Sequence, residues 1–441
     1  MILRDYQTAF VANIRARFAA GDRAVLGVMP TGAGKTPVVA EIGRLANAKG
    51  NRTLFVAHTT ELVSQAVAKF AAFGIAAEIE QAGKRAADAP VVVASIATMR
   101  GARLESWPRD AFGLVIHDEA HRAAAATSRA IHDHFSVAHL LGVTATPARG
   151  DGQALGDTYQ SLVVGATIGD LTTAGHLVPA RVYVPAGALR AGQLAMDPRA
   201  AYELHGANRP AVIFCQDVEH AIAVAASMPV PAAAVYGEMP ELERKATLAR
   251  FSAGELKVLT TCSVLVEGWD EPSTAVAILA RKFGHVGPFL QAIGRILRPA
   301  PGKDHATVVD LGDSVLRHGT PDTEREYSLD GKAIRKSDRL PIRQCTTCGM
   351  VSLSTDFCLG CGVEFPIKHR GAPSNANVGV TAIAPKSAPR PMPSQMIVAK
   401  YESKCPACSR LVQAGSRVAW VKGSPAIHEV CYFNRRATRV A

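Results

Sequence analysis

Five apolar runs punctuate the first 165 residues, at 24–29, 53–58, 91–95, 114–118 and 139–144, and helical spacing of apolar positions follows each of them. Runs this short, bounded by polar turns, read as strands buried on both faces. Alternating with helices, they predict a parallel α/β domain over residues 1–165. Residues 166–209 read as a connection, because Gly175 to Pro179, Gly187, Gly192 and Pro198 break any long element. A second α/β set follows at 211–216, 232–236, 257–262, 275–280 and 306–311, giving a second domain over 210–331. Within it, a helix from Glu241 to Phe251 should turn Leu242, Ala246, Ala249 and Phe251 to one side, with Gly254 ending it.

One loop in this alternation carries chemistry. Met29-Pro30-Thr31-Gly32-Ala33-Gly34-Lys35-Thr36 lies between the apolar run Ala24–Val28 and a helical stretch from Val38 to Leu45. Strand, glycine loop, Gly-Lys-Thr and helix make a phosphate-binding P-loop. Backbone N–H groups from Thr31 to Gly34 and the helix N-terminus face the phosphates. Lys35 would reach the β- and γ-phosphates, and the Thr36 hydroxyl would bind Mg²⁺. Met29 occupies the position where such loops usually begin with glycine. Pro37 falls in the first helical turn, where its missing N–H costs little.

Leu114-Val115-Ile116-His117-Asp118-Glu119-Ala120-His121 is a second apolar strand, and it ends in two adjacent carboxylates. Alone, such a pair reads as a solvated turn. Behind a buried strand and after a P-loop, Asp118 is the metal carboxylate. Glu119 is then the residue that orients or deprotonates the water attacking the γ-phosphate.

The Asp-Glu-Ala-His tetrad resembles that of superfamily 2 helicases, and the other motifs of that family stand in order over about residues 1–312. Leu3-Arg4-Asp5-Tyr6-Gln7 is similar to the adenine-reading motif, which implies that Arg4 and Gln7 contact the base. Leu54 to Leu62 resembles motif Ia, Val91 to Thr98 the next strand-end motif, and Gly142-Val143-Thr144-Ala145-Thr146-Pro147 motif III. Val258 to Cys262 with Glu267-Gly268-Trp269-Asp270 resembles motif V, which places Gly268 and Asp270 at the nucleotide. Gln291-Ala292-Ile293-Gly294-Arg295-Ile296-Leu297-Arg298-Pro299 resembles motif VI. There Arg295 and Arg298, spaced to share a helical face, would meet the γ-phosphate, with Gln291 near the attacking water. The resemblance implies two tandem RecA-like domains with ATP between them, and Thr146 beside Thr144 as a relay to the nucleic acid. His58, Thr59, Thr98, Thr260 and Thr261, at or just after strand ends, are candidates for phosphate contacts, or equally for helix caps. Met29 to Thr36, Glu241 to Pro272 and Gly294 to Lys303 are similar to bacterial RadD-type DNA repair ATPases and related phage helicases.

Charge and cysteine set the tail apart. From Lys332 onward there are 17 Lys plus Arg against 5 Asp plus Glu, so the tail carries the whole +11 excess of the chain. A basic tail of this kind suits a polyanion, most simply nucleic acid. Seven of the nine cysteines lie there, and Cys215 and Cys262, at strand ends, read as buried. Cys345-x2-Cys348 followed by Cys358-x2-Cys361 has four-cysteine zinc-ribbon spacing over 340–370. Cys405-x2-Cys408 with His428-x2-Cys431 offers a second zinc four more ligands over 401–436. Residues 371–400, rich in Pro, Ser, Ala and Asn with three charges, read as a flexible linker. The expected fold is thus α/β: two tandem RecA-like parallel-sheet domains followed by small C-terminal zinc-binding modules.

No apolar run reaches membrane-spanning length and no secretory signal opens the chain, so a cytoplasmic protein with no membrane partner is expected. The implied cofactors are ATP, Mg²⁺ and two Zn²⁺. The implied partner is nucleic acid, taken as single-stranded or branched DNA, with repair or replication proteins as candidates for the tail. The reading is an ATP-driven DNA helicase or translocase in repair or recombination. An RNA helicase, or a nucleic-acid scaffold with a weak motor, is the alternative.

Overall fold

The buried apolar runs form parallel strands, and helices cover both faces of each sheet. The computed structural model describes residues 3–329, except 59, 124–125, 148–153, 187–188, 190–191, 263 and 265–268. Beyond these it describes 342–345, 347–353, 358, 360–363, 395–399, 402–405, 408, 410–414, 416–420 and 426–428. The chain opens with α1 (Asp5–Ala19), β1 (Ala24–Val28), α2 (Lys35–Asn47), β2 (Thr53–Ala57), α3 (Thr60–Ala72) and β3 (Ala77–Glu80). It continues through β4 (Val91–Ser95), α4 (Ala102–Glu105), β5 (Leu114–Asp118), α5 (Ala126–His134), β6 (His139–Thr144), β7 (Ser161–Val164) and α6 (Ile168–Thr173). These strands make one parallel sheet in the order β3-β4-β2-β5-β6-β1-β7. The loops after β1 and β5 therefore leave the same edge on either side of β6, which is where open parallel sheets bind ligands.

The second lobe comprises β8 (Ala180–Tyr183), α7 (Pro198–His205), β9 (Ala211–Cys215), α8 (Val218–Ser227), β10 (Ala232–Val235), α9 (Glu241–Ser252) and β11 (Val258–Thr261). Then come β12 (Val276–Ala280), α10 (Val286–Gly294), β13 (Ala306–Asp310), α11 (Ser314–His318), β14 (Ile342–Gln344) and β15 (Met350–Leu353). Its sheet runs β10-β11-β9-β12-β13-β8-β15-β14, parallel up to β8 and antiparallel at the last two strands. Both lobes belong to one compact unit, Met1–Ile367. The second unit, Lys368–Ala441, contains the antiparallel sheet β16-β19-β20 (Gln395–Val398, Arg417–Trp420, Ile427–His428) and the hairpin β17-β18 (Ser403–Lys404, Leu411–Val412). Among the described residues no helix is long and apolar enough to cross a membrane.

Sequence patterning misses two strands. Strand β8 lies inside the segment read as a connection, and its short Ala-Arg-Val-Tyr run, with one buried position, lacks an apolar signature. Strand β3 was also unmarked: its Glu80 is fully buried, accepts the Ala86 N–H at 2.8 Å and pairs with the Arg103 guanidinium. Helix α9 faces differently from the expectation. Leu242 is 83% exposed, Ala246 and Ala249 face solvent, and Thr247 and Phe251 are the buried residues. The anchoring face is set by Phe251 and its neighbours one turn back, so the single leucine at the helix start misled the pattern. Cys215 is buried, but Cys262 is only half-buried.

Tyr159 supplies a test of the core. Its ring lies against Gly142 in β6, it is 1% exposed, and among the described residues its buried hydroxyl has no hydrogen-bond partner. An unpartnered buried hydroxyl costs about 1–3 kcal/mol. Tyr159→Phe is therefore expected to keep or raise the thermal midpoint. A clear drop in melting temperature would show that the hydroxyl is satisfied in solution.

Candidate active site

The loop after β1 takes a shape that only glycines accept easily. Gly32 and Gly34 sit at φ +88° and +77°, and Gly34 caps α2, so Lys35 and Thr36 open that helix. The start of α1 braces the loop from outside. The Tyr6 hydroxyl donates to the Ala33 carbonyl at 2.9 Å, and the Gln7 amide donates to the carbonyls of Ala33 and Gly34 at 3.2 and 3.3 Å. The other end of the Gln7 amide accepts the Arg4 N–H at 3.0 Å. Gln7, expected to read an adenine, has both ends of its side chain committed to the protein here. It acts as a strut for the loop, because the capping turn of α1 aims it there. The Arg4 guanidinium donates to the Tyr6 hydroxyl at 3.2 Å.

Strand β5 delivers Asp118 and Glu119 beside that loop. Glu119 adopts a left-handed backbone, φ +49°, which is costly for a side chain with a Cβ and marks a site held by its surroundings. Lys35 Nζ lies 3.7 Å from Glu119 Oε1, and His121 Nδ1 lies 3.5 Å from Oε2. Burial alone would raise the Glu119 carboxyl. Lys35, His121 and Arg295 outweigh it and hold the group well below the usual carboxylate range. Asp118 goes the other way, pushed up by burial and then by the charge on Glu119. It accepts the Glu119 N–H at 3.0 Å. The Thr36 hydroxyl and the Asp118 carboxylate are the hard oxygen donors that Mg²⁺ takes, so these residues fit that ion.

The second lobe meets this cluster through α10. Gln291 is 3% exposed, and its amide donates to Glu119 Oε2 at 3.1 Å, across 172 residues of sequence. The approach needs a glycine: a Cβ on Gly294 would stand 2.5 Å from Thr31 Cβ. Arg295 donates to the Trp269 carbonyl at 2.7 Å, and Arg298 pairs with Asp270. Helix α10 ends at Gly294, so both arginines sit on the turn that follows it rather than on a helical face. Arg298 still reaches the loop, its Cγ 3.5 Å from where a Gly32 Cβ would lie. Gly268 lies outside the described residues.

The candidate nucleic-acid contacts fare differently. Thr260 and Thr261 are fully buried, their hydroxyls donating to the carbonyls of Ala221 at 2.6 Å and Val264 at 3.1 Å. Neither can meet a phosphate, because both belong to strand β11 itself and not to its exit loop. His58 stacks its ring on His117 at 5.7 Å within the first lobe. Thr98 is half-buried and accepts the Ala82 N–H at 3.2 Å. Thr59 lies outside the described residues. Thr144 and Thr146 are buried and bonded to each other, Thr144 Oγ1 donating to the Thr146 carbonyl at 2.9 Å. His121 links this pair to Glu119, with Nδ1 3.3 Å from Thr144 Oγ1. The sequence reading missed His121 as a participant, although it stands in the tetrad itself.

The cysteines form two clusters. The sulfurs of Cys345, Cys348, Cys358 and Cys361 lie within 4.8 Å of one another, two of the pairs at 3.6 and 3.5 Å. Thiolates at about 2.3 Å from a tetrahedral zinc stand about 3.8 Å apart, whereas a disulfide needs about 2.05 Å. Each half is the same knuckle: Gly349 N–H donates to the Cys345 carbonyl and Gly362 N–H to the Cys358 carbonyl, both at 2.8 Å. In the second unit Cys405, Cys408 and His428 form the other cluster. His428 Nε2 lies 3.1 Å from the Leu411 carbonyl, and Nδ1 lies 3.4 Å from Cys408 Sγ, which leaves Nδ1 for a metal. Cys431 lies outside the described residues.

Residues 1–149 match the family described as type III restriction enzyme, res subunit, and residues 198–300 match the helicase conserved C-terminal domain. A 51.5 kDa protein of a Lactococcus phage is 28% identical over 77% of this chain and 78% of its own length. A Schizosaccharomyces pombe protein bearing the name of a mitochondrial ATP-dependent helicase, irc3, is 27% identical over 71% of this chain. The match spans only 58% of that yeast protein. Among solved structures, an HsdR-subunit fragment of a type I restriction enzyme from Vibrio vulnificus shares the fold, with TM-score 0.60 and 24% identity. That likeness covers 75% of this chain and 70% of the fragment.

Proposed function

We propose that this chain, which belongs to the superfamily 2 helicases and so to the ATP-hydrolysing enzymes that act on nucleic acid, uses ATP to move along or remodel DNA. The observation that carries the reading is the bond from Gln291 to Glu119, at 3.1 Å, by which the second lobe completes the acidic site of the first. ATP would lie where the two lobes meet. Lys35 would hold the β- and γ-phosphates, and Glu119 would orient the attacking water and take its proton. Lys35, His121 and Gln291 would hold the ionised Glu119 carboxylate in place for that task. Bound Mg²⁺, on Thr36 and Asp118, would neutralise charge on the phosphates. Arg298 would leave Asp270 for the γ-phosphate oxygens, and Arg295 would stabilise the same charge from one turn away. Loss of the γ-phosphate removes what the arginines grip, so the lobes separate, and a strand held by both would be moved.

DNA rather than RNA is favoured by the match of the first lobe to a restriction-enzyme subunit. Repair or recombination is the finer reading, resting on the likeness to RadD-type ATPases. The basic tail would add affinity for the DNA backbone or recruit repair or replication proteins.

Two measurements test this. ATP turnover is expected to rise with single-stranded or forked DNA more than with RNA; stimulation by RNA alone would make the motor an RNA helicase. Glu119→Gln should bind ATP yet lose turnover by about 10²-fold or more, since an amide cannot take the proton; wild-type turnover would refute the role of Glu119. We assign one zinc to each cysteine cluster, so metal analysis should give two ions per chain, falling to one in Cys405→Ser/Cys408→Ser. A single zinc in the intact protein would remove the second site.

A further inference from the structure

We propose that Lys69 is a built-in counter-ion of the nucleotide-free site, holding Thr36 and facing Asp118 until a divalent cation and nucleotide displace it. This rests on the nucleotide reading above. Lys69 belongs to no recognised motif. It lies near the end of α3, whose inner face buries Val63, Ala66 and Phe70. That packing swings the half-buried Lys69 side chain toward the P-loop, where Nζ donates to Thr36 Oγ1 at 3.4 Å. The Thr36 hydroxyl is the very oxygen expected to bind Mg²⁺.

Burial lowers the proton affinity of Lys69, while Asp270 and Asp118 favour its ammonium and Arg298 and Arg295 oppose it. Two adjacent carboxylates, Glu119 buried and Asp118 half-buried, gain from more than one positive neighbour. Lys35 lies against Glu119, and Gln291 adds a neutral donor to the same carboxylate. Asp118 accepts the Glu119 N–H, and its charge is favoured first by Lys35 and then by Lys69; Lys35 belongs to the P-loop, so Lys69 is the positive partner outside it. A lysine on a four-carbon stem can withdraw without backbone movement. Mg²⁺ and the Lys69 ammonium would therefore compete at the Thr36 hydroxyl. Emptying the site would not leave the acidic pair uncompensated, and product Mg·ADP would be easier to release.

The test is Mg²⁺-dependent binding of fluorescent ADP to the full chain, titrated from EDTA, with thermal melting of the nucleotide-free protein alongside. In wild type, Mg²⁺ should strengthen ADP binding. In Lys69→Met the midpoint for Mg²⁺ should fall by about three- to tenfold, as expected for removing one partly buried competing charge. The nucleotide-free melting point in EDTA should fall as well. Lys69→Gln, which keeps a donor to Thr36 without the charge, should move the midpoint the same way, and Lys69→Arg should leave it near wild type. An unchanged or higher midpoint in both neutral variants overturns the proposal, since a purely structural lysine would lower melting alone. Wild-type ADP binding that ignores Mg²⁺ would instead overturn the nucleotide reading itself.

Discussion

Two carboxylates on consecutive residues, Glu119 buried and Asp118 half-buried, are the constraint around which this cleft is built. Asp118 and Glu119 need positive partners, and each partner comes from a different part of the chain. Lys35 comes from the glycine loop, Lys69 from α3 and Arg295 from beyond α10. Burial raises the Asp118 carboxyl, and nearby charge lowers that of Glu119, so the two neighbours differ in proton affinity. The left-handed backbone at Glu119 is where this demand is met locally.

The same acid pair binds the two lobes together. Gln291 satisfies Glu119 only if α10 comes within van der Waals reach of the P-loop, and Gly294 against Thr31 is what permits it. If Glu119 is the catalytic carboxylate proposed above, its completion only when the lobes touch would make hydrolysis depend on closure. Strand β15 extends this logic outward: it pairs with β8, so the four-cysteine cluster is joined by main-chain bonds to the second sheet. Folding of that edge and metal occupancy would then be coupled.

The central strands and the acid pair were legible in the sequence because buried parallel strands are continuous apolar runs and the chemistry lies at their ends. The P-loop, Asp118, Glu119, Gln291, Arg295 and Arg298 come together in one place. Legibility failed where polar residues are buried. Glu80 hides an edge strand through its bond to Arg103, and β8 is too short to show a period. Thr260 and Thr261 look like strand-end phosphate ligands, but their hydroxyls bond to carbonyls inside the lobe. Lys69 was invisible for the opposite reason: a lysine on an amphipathic helix reads as solvent-facing, and only the packing of Phe70 reveals where it points.

Closure of the lobes on Glu119 is the claim on which the rest depends, and single-molecule energy transfer between the lobes tests it most directly. Dyes placed through unnatural amino acids at exposed Ser64 and Leu242 would report the distance between the two lobes. The account predicts one narrow, high-transfer population with a non-hydrolysable ATP analogue and single-stranded DNA. It also predicts a broader, lower-transfer distribution without nucleotide or with Gln291→Ala. A distribution that responds to neither nucleotide nor Gln291→Ala would contradict it.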